Sequence, residues 1–357
     1  MCYNKFIMKF KKTKIISVIF CFILFSCIKK EQINSELTIN EGLNNKVEEK
    51  INDYNENIVY YDYGISPIEI IFPQNQTIAQ GLSVVVTDNN GNLIVIDGGR
   101  TEDADYLCDI IKKKGKVVKY WYLTHIHDDH IGALLKIMTD KRTDIEIKNL
   151  VYNFANFDWY YSKMGTDAGI YYLFENTLEE YNKYLSDNFN RHVAPIKYVV
   201  DEKDKHYKFY TDDKNTKEAI SFEVDILNYM YKLDQDPINN TSLVYLITMS
   251  NNKKMLVFGD LGYEGGYKLF DEMDNDAVYG DKFYDSDIIV LSHHGQNGIP
   301  TELYKKFNPE IIIWPTSKDI YENVNKKYYT DDTKEALSSI DTIKYEIKTY
   351  EETAIIR

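Results

Sequence analysis

"LTHIHDDHIGAL", residues 123–134, sets His125, His127 and His130 around Asp128 and Asp129, so three of the seven histidines and two carboxylates fall within six positions. Neutral imidazole and carboxylate are good donors for zinc and other borderline divalent ions, and one such ion takes about four of them. The preceding "VVKYWYL" reads as a strand, while Ile131, Leu134, Leu135 and Met138 follow at helical spacing. The cluster therefore occupies a strand-to-helix junction, where one loop supplies His125, His127, Asp129 and His130 to a single pocket. A histidine pair four residues apart would instead place its ligands on one helix face. Exposed loop histidines are the bland alternative, and this spacing speaks against them.

Upstream, Leu82 to Thr87 and Asn92 to Ile96 alternate around the turn "DNNG" as a hairpin, and "IVIDGG" closes its second strand on Asp97. Thr101 can cap a helix whose Ala104, Leu107, Ile110 and Ile111 share a face, with Gly115 as its stop. Downstream, Asn153 to Leu233 is longer than a connection needs. It opens with the aromatic-rich "NFANFDWYYSKMGTDAGIYYLFENTLEEYNKYL" and turns to the strand-like "IKYVV", "HYKFY" and "ISFEVDIL". Such rings can line a substrate cleft, but in a chain with 31 tyrosines ordinary packing is the plainer reading. "PEIIIWP" reads as a strand, "TDDTKEALSSI" as a capped helix, and "IKYEIKTY" and "TAIIR" as closing strands. No internal repeat is visible.

With 357 residues and 44% hydrophobic content, the chain can bury a sizeable core. Residues 1–26 hold five lysines and no acid, which leaves 37 basic against 56 acidic residues in the remainder, a net charge of −19. Such a surface repels polyanions. Long nucleic acid is accordingly disfavoured as a partner, while a metal-rich cleft can still attract a small anion.

Near the N-terminus, "MKFKKTKIISVIFCFILFSC", residues 8–27, has the lysine-rich head and short apolar run of a secretory signal. Its apolar segment is too short to span a bilayer comfortably. Leu24 to Cys27 resembles a bacterial lipoprotein cleavage site, at which Cys27 would be lipidated and anchor the protein on the outer face of the membrane. A plain exported protein or an uncleaved anchor is the alternative. Residues 28–57 read as a polar tether and residues 58–357 as the folded domain. Cys108 is left as a small buried residue, and no disulfide framework is available.

The motif H-x-H-x-D-H, matched by His125, His127, Asp129 and His130, resembles the signature of the metallo-β-lactamase superfamily. Further along, the family's order is met by Asp97 after an early strand, by Asp260 after "KMLVFG", and by His293 and His294 after "DIIVLS". The resemblance implies an α/β fold, the αββα metallo-β-lactamase sandwich, here with an inserted aromatic-rich segment. It implies two divalent metal ions, Zn or Mn, and hydrolysis by a metal-bridging hydroxide. His125 and His127 would bind one ion, Asp129, His130 and His293 the other, and Asp260 would bridge them. Asp97 would orient a ligand. His294 would bind substrate or protonate a leaving group, or take the ligand role in place of His293.

The family usually carries a further histidine ahead of the strand pair leading to Asp260, and this chain has Asn239 and Asn240 there. An asparagine carbonyl, placed at Asn240 or Asn239, is a harder donor that suits manganese better than zinc. Together with Ser242 and "HHG", this is similar to the hydrolase domain of competence-type DNA-internalisation proteins, although Gln296 departs from that branch's ending. Three functional readings follow: a phosphodiesterase or nuclease-like enzyme acting on a small or short phosphoester; a lactone, thioester or amide hydrolase; and a surface lipoprotein that binds metal or ligand without turnover.

Overall fold

The computed structural model describes residues 57–197, 207–210 and 221–357. Two sheets account for all fifteen strands among them. The first runs β1 (Ile58–Tyr61), β15 (Thr353–Ile356), β2 (Glu69–Phe72), β3 (Ser83–Thr87), β4 (Leu93–Asp97), β5 (Val117–Tyr122), β6 (Glu146–Tyr152) and β7 (Ala194–Lys197). The second runs β14 (Tyr345–Lys348), β13 (Ile311–Trp314), β12 (Ile288–Val290), β11 (Lys254–Val257), β10 (Tyr245–Met249), β9 (Phe222–Ile226) and β8 (Tyr207–Tyr210).

Strand side chains alternate between faces, and here both faces are buried, so the strands read as nearly continuous apolar runs. In β4, Ile94 and Ile96 enter the layer between the sheets together with Val84, Tyr122, Tyr245, Val257 and Val290. Leu93 and Val95 point the other way, against the helices Ala104–Lys113 and Asp128–Thr139. The second sheet repeats the scheme: Ile288 and Val290 face inward, while Ile289 packs outward with Leu269, Phe270 and Phe283. Each such side chain taken out of water contributes roughly 1.5–3 kcal/mol. The result is the αββα metallo-β-lactamase sandwich that the resemblance implies.

The hairpin forms as expected, with Val84 opposite Ile96 and Val86 opposite Ile94. The helix cap differs. Thr101 makes no side-chain cap; a 3-10 turn, Thr101–Asp103, precedes the helix, and the buried Asp103 carboxylate accepts from the backbone N–H of Arg100 and of Gln76, both at 2.7 Å. The aromatic-rich segment folds into the helices Phe157–Met164 and Gly169–Phe189, on which Tyr160, Phe174 and Tyr181 are fully buried against the first sheet's outer layer. Most of its rings are packing.

β4, β5 and β6 are parallel, as are β11, β12 and β13. Their carboxyl ends open at the same edge of the sandwich, the edge at which open α/β sheets bind ligands. The two sheets are tied together there: the Tyr245 hydroxyl donates to the Leu123 carbonyl at 2.6 Å, and the Leu243 N–H to the Thr124 carbonyl at 3.0 Å. Gly259 makes this approach feasible. Its φ is +58°, and a Cβ there would stand 2.7 Å from Thr124 Cβ.

Candidate metal centre

Asp97 ends β4 with φ +54°, a left-handed conformation uncommon outside glycine, and that turn swings its carboxylate beneath the loop after β5. There it accepts from Thr124 N–H and Thr124 Oγ1, both at 2.8 Å, and lies 2.7 Å from His130 Nδ1. With Nδ1–H held by a carboxylate, His130 presents Nε2 to the site. Thr124 Oγ1, spending its proton on Asp97, accepts from His125 Nδ1 at 3.1 Å and so frees His125 Nε2 in the same way. His127 Nδ1 lies 2.9 Å from that Nε2.

Asp129 and His130 are not on the loop but in the first turn of the Asp128–Thr139 helix, which begins immediately after His127. Asp129 is nine-tenths buried and its Oδ2 accepts from Gln80 Nε2 at 3.1 Å and from Arg100 Nη2 at 3.3 Å. The sequence reading missed both partners. Arg100 follows "IDGG" directly, and its closeness to Asp129 depends on Gly132, where any Cβ would come within 3 Å of the Arg100 and Thr101 backbone.

From the second sheet come Asp260, at the end of β11, and the pair His293–His294, after β12. Asp260 is buried, and its two oxygens face different neighbours. Oδ1 is 3.0 Å from His130 Nε2, whereas Oδ2 is 3.8 Å from His125 Nε2, 3.8 Å from His293 Nε2 and 3.4 Å from His294 Nε2. Its backbone N–H is fixed by Ser242 Oγ at 3.0 Å.

The histidine pair differs from expectation. His294 is fully buried, donates Nδ1–H to the Pro315 carbonyl at 2.6 Å, and places Nε2 3.3 Å from Asp129 Oδ2. It thus stands with Asp129 and His130, the group in which His293 was expected. His293, 15% exposed at its side chain, lies on the other side, beside Asp236 and Asn239. Asn240 does not face the site with a free amide: its Oδ1 accepts from Gly262 N–H and Gly265 N–H at 3.0 Å, and its Nδ2 donates to the Gln235 carbonyl.

Two groups of candidate ligand atoms result, His125–His130–Asp260 and Asp129–His130–His294, each with its atoms within 4.8 Å of one another. Among the described residues, the buried polar atoms without a hydrogen-bond partner include His130 Nε2, Asp260 Oδ1, His294 Nε2, His293 Nδ1 and Asn239 Oδ1. His130 Nε2 and Asp260 Oδ1 are close but not aligned as donor and acceptor. Buried polar atoms are rarely left unpaired, and imidazole nitrogens converging on carboxylate oxygens suit a shared divalent cation. The residues fit the metal that the fold implies.

The electrostatics agree. Burial pushes His130 down, but the carboxylates of Asp260 and Asp97 outweigh it and hold its pKa well above the ordinary histidine value. His294, against the same burial, is raised to about 9 by Asp260 and Asp129. Burial also opposes ionisation of Asp260, yet the neighbouring imidazoles of His130, His294 and His293 draw its pKa well below normal. His125 is lowered well below 6.5 by burial and by His130, which keeps it neutral and able to act as a ligand. Three carboxylates in so dry a place call for positive charge.

Residues 77–186 match the sequence profile of the metallo-beta-lactamase superfamily. That stretch is similar to a metallo-β-lactamase domain. The matched stretch contains Asp97, His125, His127, Asp129 and His130; Asp260, His293 and His294 lie beyond it and are brought to the same pocket by the fold. No curated protein sequence matches the chain. Among solved structures, the metallo-beta-lactamase fold protein YhfI from Bacillus subtilis is similar at 11% identity over 79% of this chain and 96% of its own, with a TM-score of 0.42. Unliganded yeast PDE1 gives 11% over 81% and 97% with 0.45. The short form of human tRNase Z gives 13% over 69% and 90% with 0.40.

Proposed function

We propose that the chain is a metal-dependent hydrolase with a dinuclear centre, acting on a phosphoester of small or short substrates. The observation that carries this reading is the buried Asp260, whose carboxylate touches donors of both proposed sites, His125 Nε2 at 3.8 Å on one hand and His130 Nε2 at 3.0 Å with His294 Nε2 at 3.4 Å on the other. A carboxylate so placed is suited to join two cations. His125 and His127 would hold one ion, Asp129, His130 and His294 the second, with Asp260 between them. A pair of divalent ions supplies an activated water and stabilises the anionic charge of an in-line displacement.

The chain's own residues supply the order around that chemistry. Asp97 and Thr124 fix the ring planes of His130 and His125, Pro315 fixes His294, and Gln80 with Arg100 holds Asp129 Oδ2. None of these groups has to move as charge develops, which is what electrostatic preorganisation requires. Arg100, only 22% exposed at its side chain, also places a fixed cation at the rim.

The preference for a phosphoester rests on the likeness of Asn239, Asn240, Ser242 and "HHG" to the competence-type hydrolase branch, together with a donor set of imidazole and carboxylate. The test is hydrolysis of bis(p-nitrophenyl) phosphate, a lactone and a thioester by protein loaded with Mn²⁺ or Zn²⁺. We expect diester hydrolysis that is abolished by chelation and lost in His127→Ala and Asp129→Ala, at least 100-fold in kcat. Turnover of the acyl substrates alone would move the reading to the lactone or thioester class. No turnover of any of them, with metal bound, would leave a binding protein.

A further inference from the structure

We infer that the edge bearing the metal centre is a lipid-facing surface, docked on the bilayer through the exposed side chains of Ile78, Val324 and Tyr329, so that the pocket opens toward the headgroups. The inference goes beyond the hydrolase reading and does not need it.

The chain enters the described fold at this edge. β1 pairs parallel with β15, Ile58 opposite Thr353, and β15 runs antiparallel to β2, with Ala354 opposite Phe72. β2, β3 and β4 then alternate in direction, and Ser83 faces Asp97. Carried across the sheet, these directions put Ile58 at the same end as Asp97. Just before it, the Asn57 carbonyl accepts from Thr353 N–H at 2.8 Å, and Asn57 Nδ2 donates to the Glu351 carbonyl at 3.1 Å. The polar tether read from the sequence, residues 28–57, connects this point to the lipid expected at Cys27. A tether of that length in coil form has an end-to-end distance of roughly 30 Å, so the edge it enters stays within reach of the bilayer surface.

Two connections on that edge end in apolar side chains without protein cover. Residues 73–82 join β2 to β3 and carry Ile78, 91% exposed; residues 315–329 follow β13 and carry Val324, 77% exposed, and Tyr329, 66% exposed. Both connections are braced. Gln74 donates its N–H to Thr353 Oγ1 at 2.9 Å and its Nε2 to the Tyr350 carbonyl at 3.2 Å, while Asn75 Nδ2 donates to the Thr316 carbonyl at 2.9 Å. Asn323 closes the second connection on Tyr328, its Nδ2 donating to the Tyr328 carbonyl at 2.9 Å and its Oδ1 accepting the Tyr328 N–H at 3.1 Å. Tyr329 N–H donates to Asn297 Oδ1 at 3.3 Å, in the turn beyond His294. One hydrogen-bonded run thus leads from the chain entry through the loop of Ile78 to the segment of Val324, and it touches the candidate ligands Asp129 and His294 at Gln80 and Pro315.

Single exposed apolar residues are ordinary on a water-facing surface. Here they stand on braced loops around one mouth, and the second loop reads "NVNKKYY", residues 323–329, in which an aliphatic side chain and two tyrosines flank the exposed Lys326 and Lys327. Aliphatic, aromatic and lysine side chains together are what the headgroup region accepts, with rings and methyls buried and ammonium groups in water. Charge argues for a neutral partner. The chain beyond residue 26 carries a net −19, and Asp128 and Asp234 are exposed at this edge, so docking is by apolar insertion into zwitterionic lipid rather than by attraction to acidic headgroups. A contact of this size is weak alone, and the tether makes it intramolecular and therefore persistent.

The test uses the full chain in phosphatidylcholine vesicles, with a bimane label on Ile78→Cys, Val324→Cys or Val278→Cys. Val278 is exposed at the opposite end of the sandwich, between the Tyr263–Asp274 helix and β12, and is the control; Cys108 is buried. Thermal unfolding verifies that each variant is folded. With brominated phosphatidylcholine, emission at 78 and 324 should fall roughly 2-fold and access to aqueous iodide should fall with it, while 278 is unchanged. Adding Ile78→Asp to the Val324→Cys chain should remove the quenching. About 1 M KCl should leave it intact, because apolar insertion is not screened. Equal quenching at all three positions, or none at 78 and 324, overturns the proposal. Loss of the signal in salt does so as well, since it assigns the contact to charge, and so does protection of 78 and 324 that grows with protein concentration without vesicles, which assigns the edge to a second copy of the chain. Should the chain carry no lipid, an excess of vesicles replaces the tether and the same criteria hold. No substrate is present, so an inactive protein that shows this pattern sinks the hydrolase reading and leaves the lipid-facing edge standing.

Discussion

At Asp97, one buried carboxylate accepts from Thr124 N–H and Thr124 Oγ1 and holds His130 Nδ1, so a single side chain sets two loops and one ligand. Its burial raises its pKa against the pull of His130 and Thr124, yet it reaches no further than His130 and acts through it. Asp97→Asn keeps the shape and turns one acceptor into a donor, facing either the threonine or the imidazole N–H. We expect metal affinity at the His130 site to fall 10–100-fold, with stability lower by about 1–3 kcal/mol. Mn²⁺ titration beside a denaturant midpoint checks both, and unaltered affinity would mean that Asp97 does not orient a ligand.

Among the elements, the Tyr263–Asp274 helix has a dependence that its own residues do not supply. Gly262 at its N-terminus offers no side-chain cap; Asn240, from the turn before β10, reaches across and accepts from the Gly262 and Gly265 N–H groups. First-turn N–H groups have no partner inside a helix. Removing the acceptor in Asn240→Ala should cost about 1–2 kcal/mol, seen as a lower unfolding midpoint, while the number of bound ions stays at its wild-type value. Loss of an ion at unchanged stability would instead identify Asn240 as a donor to metal. The helices of the aromatic-rich segment likewise depend on tertiary packing, with Tyr160, Phe174 and Tyr181 buried in the apolar layer outside the first sheet.

For the molecule as a whole, the site is assembled from both sheets, which are tied together beside it by the Tyr245 hydroxyl on the Leu123 carbonyl and by the Leu243 N–H on the Thr124 carbonyl. Where this assembly works is a question for the N-terminal segment, and the signal at residues 1–27 lies outside the described residues. Among the described residues no helix is long and apolar enough to cross a membrane. We propose the lipid anchor at Cys27 on the sequence pattern of Leu24–Cys27. The wild-type chain, expressed in a bacterial host and fed labelled fatty acid, should take up label and follow the detergent phase; Cys27→Ala should do neither. Unlabelled, freely soluble wild-type protein would remove the anchor.

By itself, the sequence determined the sandwich and named most of the side chains that the fold brings together as candidate donors. Donors in H-x-H-x-D-H are neighbours along the chain, and apolar runs that stop at Asp97, Asp260 and His293–His294 announce strands whose ends meet at one edge. Only the tertiary structure decided which histidine of the pair joins Asp129, and whether Asn240 faces metal or helix. Those outcomes depend on groups remote in the chain: the Pro315 carbonyl that holds His294, the left-handed turn that splays the pair, and the Gly262 and Gly265 N–H groups that occupy Asn240. Arg100 and Gln80 were illegible for the same reason. A side chain's type is written locally, but its direction is set by whichever distant backbone donor or acceptor it must satisfy once both are buried.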